Sequence, residues 1–107
     1  MSDNSLIELG PSEFSQKLNE DTNAILIDVR TIGEYNDGHI PNSILMNIYE
    51  PTFFDDIQKL DRDKNYYLYC RSGSRSYHAG QLMMKQGFKN VYNLGSGILD
   101  WEESLEK

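Results

Sequence analysis

Cysteine is nearly absent: Cys70 is the only one in 107 residues, and only two histidines, His39 and His78, accompany it. One thiol excludes an internal disulfide, a Cys-x-x-Cys redox pair and any multi-thiolate zinc site, so no metal or cofactor is expected. No apolar run approaches the ~20 residues a membrane span requires. The opening Met1-Ser2-Asp3-Asn4-Ser5 lacks both a basic region and an apolar stretch, which predicts a cytoplasmic protein without a secretory signal. Basic residues are also scarce. Ten Lys and Arg against seventeen Asp and Glu give a net charge of -7, which disfavours nucleic acid and anionic membrane as partners. Any attraction for a small anion must therefore be local, from Arg side chains and backbone N–H groups within one loop. Repeats, low-complexity stretches and linkers are missing too, and 107 residues fit a single domain, 1–107.

What is present is an alternation of short apolar runs with helical periodicity, the pattern of an α/β protein built on a parallel sheet. Leu6–Leu9 reads as a first strand, and Pro11 with Glu13 starts a helix whose inner stripe is Phe14 and Leu18. Ala24-Ile25-Leu26-Ile27 is continuously apolar, as a strand covered on both faces must be, and runs into Asp28-Val29-Arg30. Thr31-Ile32-Gly33-Glu34 is a capping box that opens a short helix ending near Gly38. Pro41 makes residues 39–42 an extended connector, with His39 bonding backbone around Pro41. A brief strand over Ser43–Asn47 and a helix over Pro51–Leu60 follow, then a charged turn and the strand Tyr66–Tyr69, which delivers Cys70 at its carboxyl end. Ala79, Leu82 and Met83 share one face of the next helix. Asn90–Leu94 is the last strand, and Gly95-Ser96-Gly97 leads into a terminal helix with Ile98, Trp101 and Leu105 inward. The tyrosines and Trp101 read as packing residues.

Parallel sheets bind ligands at the carboxyl ends of their strands. Asp28–Arg30, Cys70–Arg75 and Gly95–Gly97 all fall on that rim and should converge. Small residues curling from Cys70 into a helix N-terminus aim backbone N–H groups inward, which favours an anion and lowers a thiol pKa. Ser72, Ser74 and Ser76 add hydroxyl donors, Arg75 adds a fixed charge near the sulfur, and Arg71 is placed to meet the anionic part of a substrate. Asp28 and Arg30 read as an ion pair that supports the loop.

Three segments together, Asp28-Val29-Arg30-Thr31-x-x-Glu34-Tyr35-x-x-Gly38-His39-Ile40-Pro41, Cys70-Arg71-Ser72-Gly73-Ser74-Arg75-Ser76 and Asn93-Leu94-x-x-Gly97-Ile98-x-x-Trp101, resemble the rhodanese family over nearly the whole chain. The resemblance implies a five-stranded parallel sheet flanked by helices on both faces. It also implies a thiosulfate sulfurtransferase that carries sulfur as a persulfide on Cys70, held by the loop from Arg71 to Ser76. The donor would be a small sulfur anion, and the acceptor cyanide, a thiol or a sulfur-acceptor protein. Two alternatives stand beside it. A phosphatase or arsenate reductase on the same fold would have Arg six residues after Cys, whereas Arg75 is the fifth and Ser76 the sixth. A thiol redox sensor or interaction module would use an exposed, low-pKa Cys70 that oxidises. Two positions depart from the family pattern: Ser96, where a second Gly is common, and Asn42, where Gly is frequent.

Overall fold

A computed structural model gives the architecture and describes residues 6–107; the reading of Met1–Ser5 lies outside the described residues. The chain runs β1 (Ile7–Leu9), α1 (Pro11–Glu20), β2 (Ala24–Asp28), α2 (Ile32–Asp37), β3 (Ile44–Leu45), α3 (Phe53–Gln58), β4 (Asn65–Tyr69), α4 (Ser74–Lys85), β5 (Asn90–Leu94) and a 3₁₀ turn at Ile98–Asp100. The strands form one sheet in the order β1-β5-β4-β2-β3, and every pairing is parallel.

The central strand β4 shows why the pattern folds this way. Tyr66, Tyr67, Leu68 and Tyr69 are all at most 1% exposed, because a strand with neighbours on both edges and helices on both faces has no solvent side. Side chains alternate across it. Tyr66 and Leu68 join a cluster with Phe53 and Ile57 of α3 and Ala79 and Met83 of α4. Tyr67 and Tyr69 join Phe14 of α1, Leu26 and Leu94 on the opposite face. Each fully buried Phe, Ile or Leu here contributes about 1.5–3 kcal/mol. The buried phenols keep partners: Tyr66 donates to the Asp61 carbonyl at 2.7 Å, Tyr67 to Asp21 at 2.7 Å, and Tyr69 Oη accepts the Ile40 N–H at 3.0 Å.

Four local expectations change. The terminal helix is absent: after Ile98–Asp100 the chain extends, and Glu106 exchanges two 2.8 Å backbone hydrogen bonds with His39. Glu102, Glu103, Ser104 and Glu106 offer little apolar surface to a helix, so pairing with His39 satisfies the backbone instead. Trp101 is half-buried against Phe14, while Leu105 is exposed yet lies against Gly38. The third strand shrinks to Ile44–Leu45, although Met46 and Ile48 still donate to Asp28 and Val29 carbonyls. The helix expected over Pro51–Leu60 starts at Phe53 and ends at Gln58, because a turn closed by Phe53 N–H on the Glu50 carbonyl precedes it. His39 bonds the Tyr35 carbonyl through Nδ1 at 2.9 Å and stacks on the Tyr35 ring, rather than reaching around Pro41. Asn42 has φ 71, a left-handed conformation that explains why glycine suits this position.

Candidate active site at the Cys70 loop

Cys70 follows β4 directly, and strand alternation turns its side chain toward α4, into the cluster containing Ile27, Val29 and Ala79. Its side chain is enclosed: the residue is only 1% exposed, against the expectation of an exposed thiolate. The enclosure is not hydrocarbon alone. Sγ accepts the Gly73 N–H at 3.1 Å, the Ser76 N–H at 3.4 Å and the Ser76 hydroxyl at 3.4 Å. Gly73 is able to aim its N–H inward because it caps α4 at φ 98, in the left-handed region. Burial pushes the thiol pKa up, but the Ser76 hydroxyl and the N–H groups of Ser76, Gly73 and Ser72 outweigh it and hold the thiol below its ordinary value. The dipole of the twelve-residue α4 points its positive end at the same atom.

The remaining loop residues divide. Ser72 and Ser74 are exposed, and Ser76 alone places its hydroxyl on the sulfur. Arg71 is exposed and lines a cavity of ≈ 400 Å³ together with Arg30, Glu34, Ile98, Leu99 and Leu105 among others. A larger cavity of ≈ 720 Å³ lies between α1 and residues 101–104, and Cys70 does not line it. Arg75 departs from expectation. Its guanidinium makes a bidentate pair with Glu34, Nη1 to Oε1 at 2.8 Å and Nη2 to Oε2 at 2.9 Å, so its charge is largely neutralised instead of standing free beside the sulfur. Glu34 also completes the capping box with Thr31. The Arg75 hydrogen bonds, against partial burial, draw its pKa down to about 2.

Asp28 and Arg30 form the expected ion pair. Arg30 Nε and Nη2 both bind the Asp28 carboxylate, at 2.9 and 2.7 Å, and Nη2 also reaches the Gly38 carbonyl at 2.7 Å. Both residues are at most 5% exposed, and Arg30 lies over the Tyr69 ring. The Gly95–Gly97 turn dovetails with the loop: Ile98 N–H donates to the Cys70 carbonyl at 2.9 Å and Leu99 N–H to the Arg71 carbonyl at 3.1 Å. A Cβ on Gly97 would fall on the Arg71 carbonyl, so this position requires glycine. Ser96 Oγ is buried without a hydrogen-bond partner among the described residues. Two residues at the site escaped the sequence reading: Glu34 as the partner of Arg75, and Asn93, which binds the Gly73 carbonyl. Asn93 was visible in principle, as a polar residue that shares its strand face with Val91.

The family model for the rhodanese-like domain matches residues 10–104. The chain belongs to the rhodanese-like family. A sulfurtransferase from Allochromatium vinosum is 36% identical over 95 residues, covering 88% of this chain and 86% of that protein. The crystal structure of a rhodanese-like domain protein from Staphylococcus aureus superposes with a TM-score of 0.81 at 29% identity, over 94% of this chain and 96% of that one. The homodimeric polysulfide-sulfur transferase of Wolinella succinogenes gives a TM-score of 0.74 at 28% identity, over 90% and 72% of the two chains. The fold and the family's association with sulfur transfer thus rest on sequence and structure together. In this rhodanese-like chain the Cys70 loop occupies the carboxyl rim where a parallel sheet places its ligand site.

Proposed function

We propose that the protein is a sulfurtransferase that moves sulfane sulfur from a small anionic donor to a thiol or cyanide through a Cys70 persulfide. In the first half-reaction the Cys70 thiolate attacks the outer sulfur of thiosulfate, a sulfur–sulfur bond forms, and the electron pair of the breaking bond leaves with sulfite. In the second, an acceptor thiolate or cyanide attacks the outer sulfur of the persulfide and Cys70 departs as thiolate. The carrying observation is the convergence of the Gly73 and Ser76 N–H groups and the Ser76 hydroxyl on Sγ at 3.1–3.4 Å. Those donors stabilise negative charge both on the attacking thiolate and on the departing one. Arg71, exposed and next to Cys70 in the chain, supplies the local cation that an anionic donor needs on a protein of net charge -7. With no second cysteine in the chain, the sulfur leaves to an external acceptor, either a small thiol or the cysteine of a partner protein.

Two observations weigh against a phosphatase or arsenate reductase: the Cys-to-Arg spacing is one residue short, and Arg75 is engaged by Glu34 instead of being free to bind an oxyanion. The test is sulfite release from thiosulfate in the presence of cyanide, with the native chain and Cys70→Ser. Turnover in the first and none in the second is expected; equal turnover in both overturns the proposal.

A further inference from the structure

Asn93 is 0% exposed on the face of β5 that meets α4, a place where valine or leucine would pack without desolvation. Burying an amide there is unfavourable unless its hydrogen bonds are needed. Its Nδ2 donates one way to the Glu8 carboxylate, at 3.0 and 3.1 Å, and the other way to the Gly73 carbonyl at 3.1 Å. Both partners are pure acceptors, so the amide orientation is fixed. Its Oδ1 has no partner among the described residues, so what the position uses is the pair of donors. Glu8 and Asn93 are register partners of adjacent strands β1 and β5, and the sheet itself sets their approach.

The Gly73 carbonyl has two lone pairs and three donors near it: Tyr77 N–H at 3.1 Å as the first turn of α4, Asn93 Nδ2 at 3.1 Å and Ser76 Oγ at 3.3 Å. Ser76 has one hydroxyl proton, which goes either to this carbonyl or to Cys70 Sγ at 3.4 Å. With Tyr77 and Asn93 occupying the carbonyl, the Ser76 proton is left for the sulfur. The same bond fixes the left-handed Gly73, whose N–H makes the shortest hydrogen bond to Sγ, 3.1 Å. We infer that Asn93, oriented by Glu8, is a positioning residue that directs both the Gly73 N–H and the Ser76 hydroxyl onto Cys70 Sγ.

This deepens the reading of Cys70 as nucleophile, and its test is kept separate from that reading. The readout is the pH dependence of Cys70 alkylation by iodoacetamide, which reports the thiolate whether or not sulfur is carried; failure of the nucleophile reading would show instead as sulfite release surviving in Cys70→Ser. Asn93→Leu is expected to raise the alkylation midpoint by ~1 pH unit, equivalent to about tenfold less thiolate below the midpoint. Glu8→Ala, on an exposed edge strand, provides the second arm. Loss of a nearby negative charge alone would lower the midpoint, whereas release of Asn93 raises it, so the sign decides. A higher midpoint in Glu8→Ala, and in Asn93→Leu where that variant folds, supports the assignment. A midpoint unmoved or lowered in either variant with a native circular dichroism spectrum overturns it.

Discussion

Replacing Glu34 by Gln separates two roles that the structure joins in one carboxylate. The side chain holds the capping box of α2 and binds Arg75 with both oxygens. Gln preserves length and one acceptor but removes the charge. Arg75 foremost, with the Thr31 N–H and hydroxyl, lowers the Glu34 pKa from 4.5 to about 2 against partial burial, a displacement worth ~3 kcal/mol at ~1.4 kcal/mol per pH unit, of which the Arg75 pair is the larger part. Because the two side chains are 28% and 22% exposed, solvent screening reduces this to ~1–2 kcal/mol. For a chain of this size the Tm should fall by roughly 5–15 °C. The folded-state pKa lies below the unfolded one, so the stabilisation is complete above about pH 4.5 and is lost as pH falls toward about 2. The Tm difference between native and Glu34→Gln protein should therefore be full at pH 6 and shrink steadily between pH 4.5 and 2. The chemistry should move the other way. Arg75 and a Cys70 thiolate attract one another, and without its carboxylate partner Arg75 adds a stronger positive field at the sulfur, lowering the alkylation midpoint. Thermal melts across pH and iodoacetamide kinetics measure the two effects. A Tm difference that stays constant from pH 6 to 2, or an alkylation midpoint that rises, would refute this account of the pair.

Other perturbations act on different parts of the same rim. Asp28→Asn leaves Arg30 buried without its countercharge and should cost about 3–5 kcal/mol, read by urea denaturation; a loss under ~1 kcal/mol would show that the pair does not hold the rim. Gly97→Ala forces a Cβ onto the Arg71 carbonyl at φ 73, so the Cys70 loop must shift; sulfite release should drop by at least ~10-fold if the loop sets the geometry, and near-native turnover contradicts it. Ser76→Ala removes one donor from Sγ and should raise the alkylation midpoint while leaving the melting temperature within a few degrees. Its Oγ is buried but small, and the methyl group fits the same space.

The sequence was a sound guide wherever local chemistry and long-range packing agreed. The apolar run Ala24–Ile27, the tyrosine-rich Tyr66–Tyr69 and the capping box at Thr31 each specify one conformation, and each occurs as read. The lone cysteine at the end of a strand and the start of a glycine-serine loop marked the candidate site, because that combination presents backbone N–H groups to a thiol, as those of Gly73 and Ser76 do. The spacing of Ile98, Trp101 and Leu105 misled, since helical periodicity cannot register that the backbone of Glu106 finds a partner in His39. Length was also opaque at the edge strand β3, where half the hydrogen bonds go to solvent and extent depends on the neighbour.

By itself, the order of residues determined the α/β class, the parallel sheet and the position of the thiol, for all three follow from hydrophobic period, turn chemistry and the place of small residues along the chain. Only the tertiary structure decided what surrounds the sulfur. Glu34 meets Arg75 across 41 positions and Glu8 meets Asn93 across 85, distances at which no local preference acts. Which charge remains free and which N–H points at Sγ are settled by how two helices and two strands meet at one end of the sheet, and the sulfur's reactivity depends on those meetings.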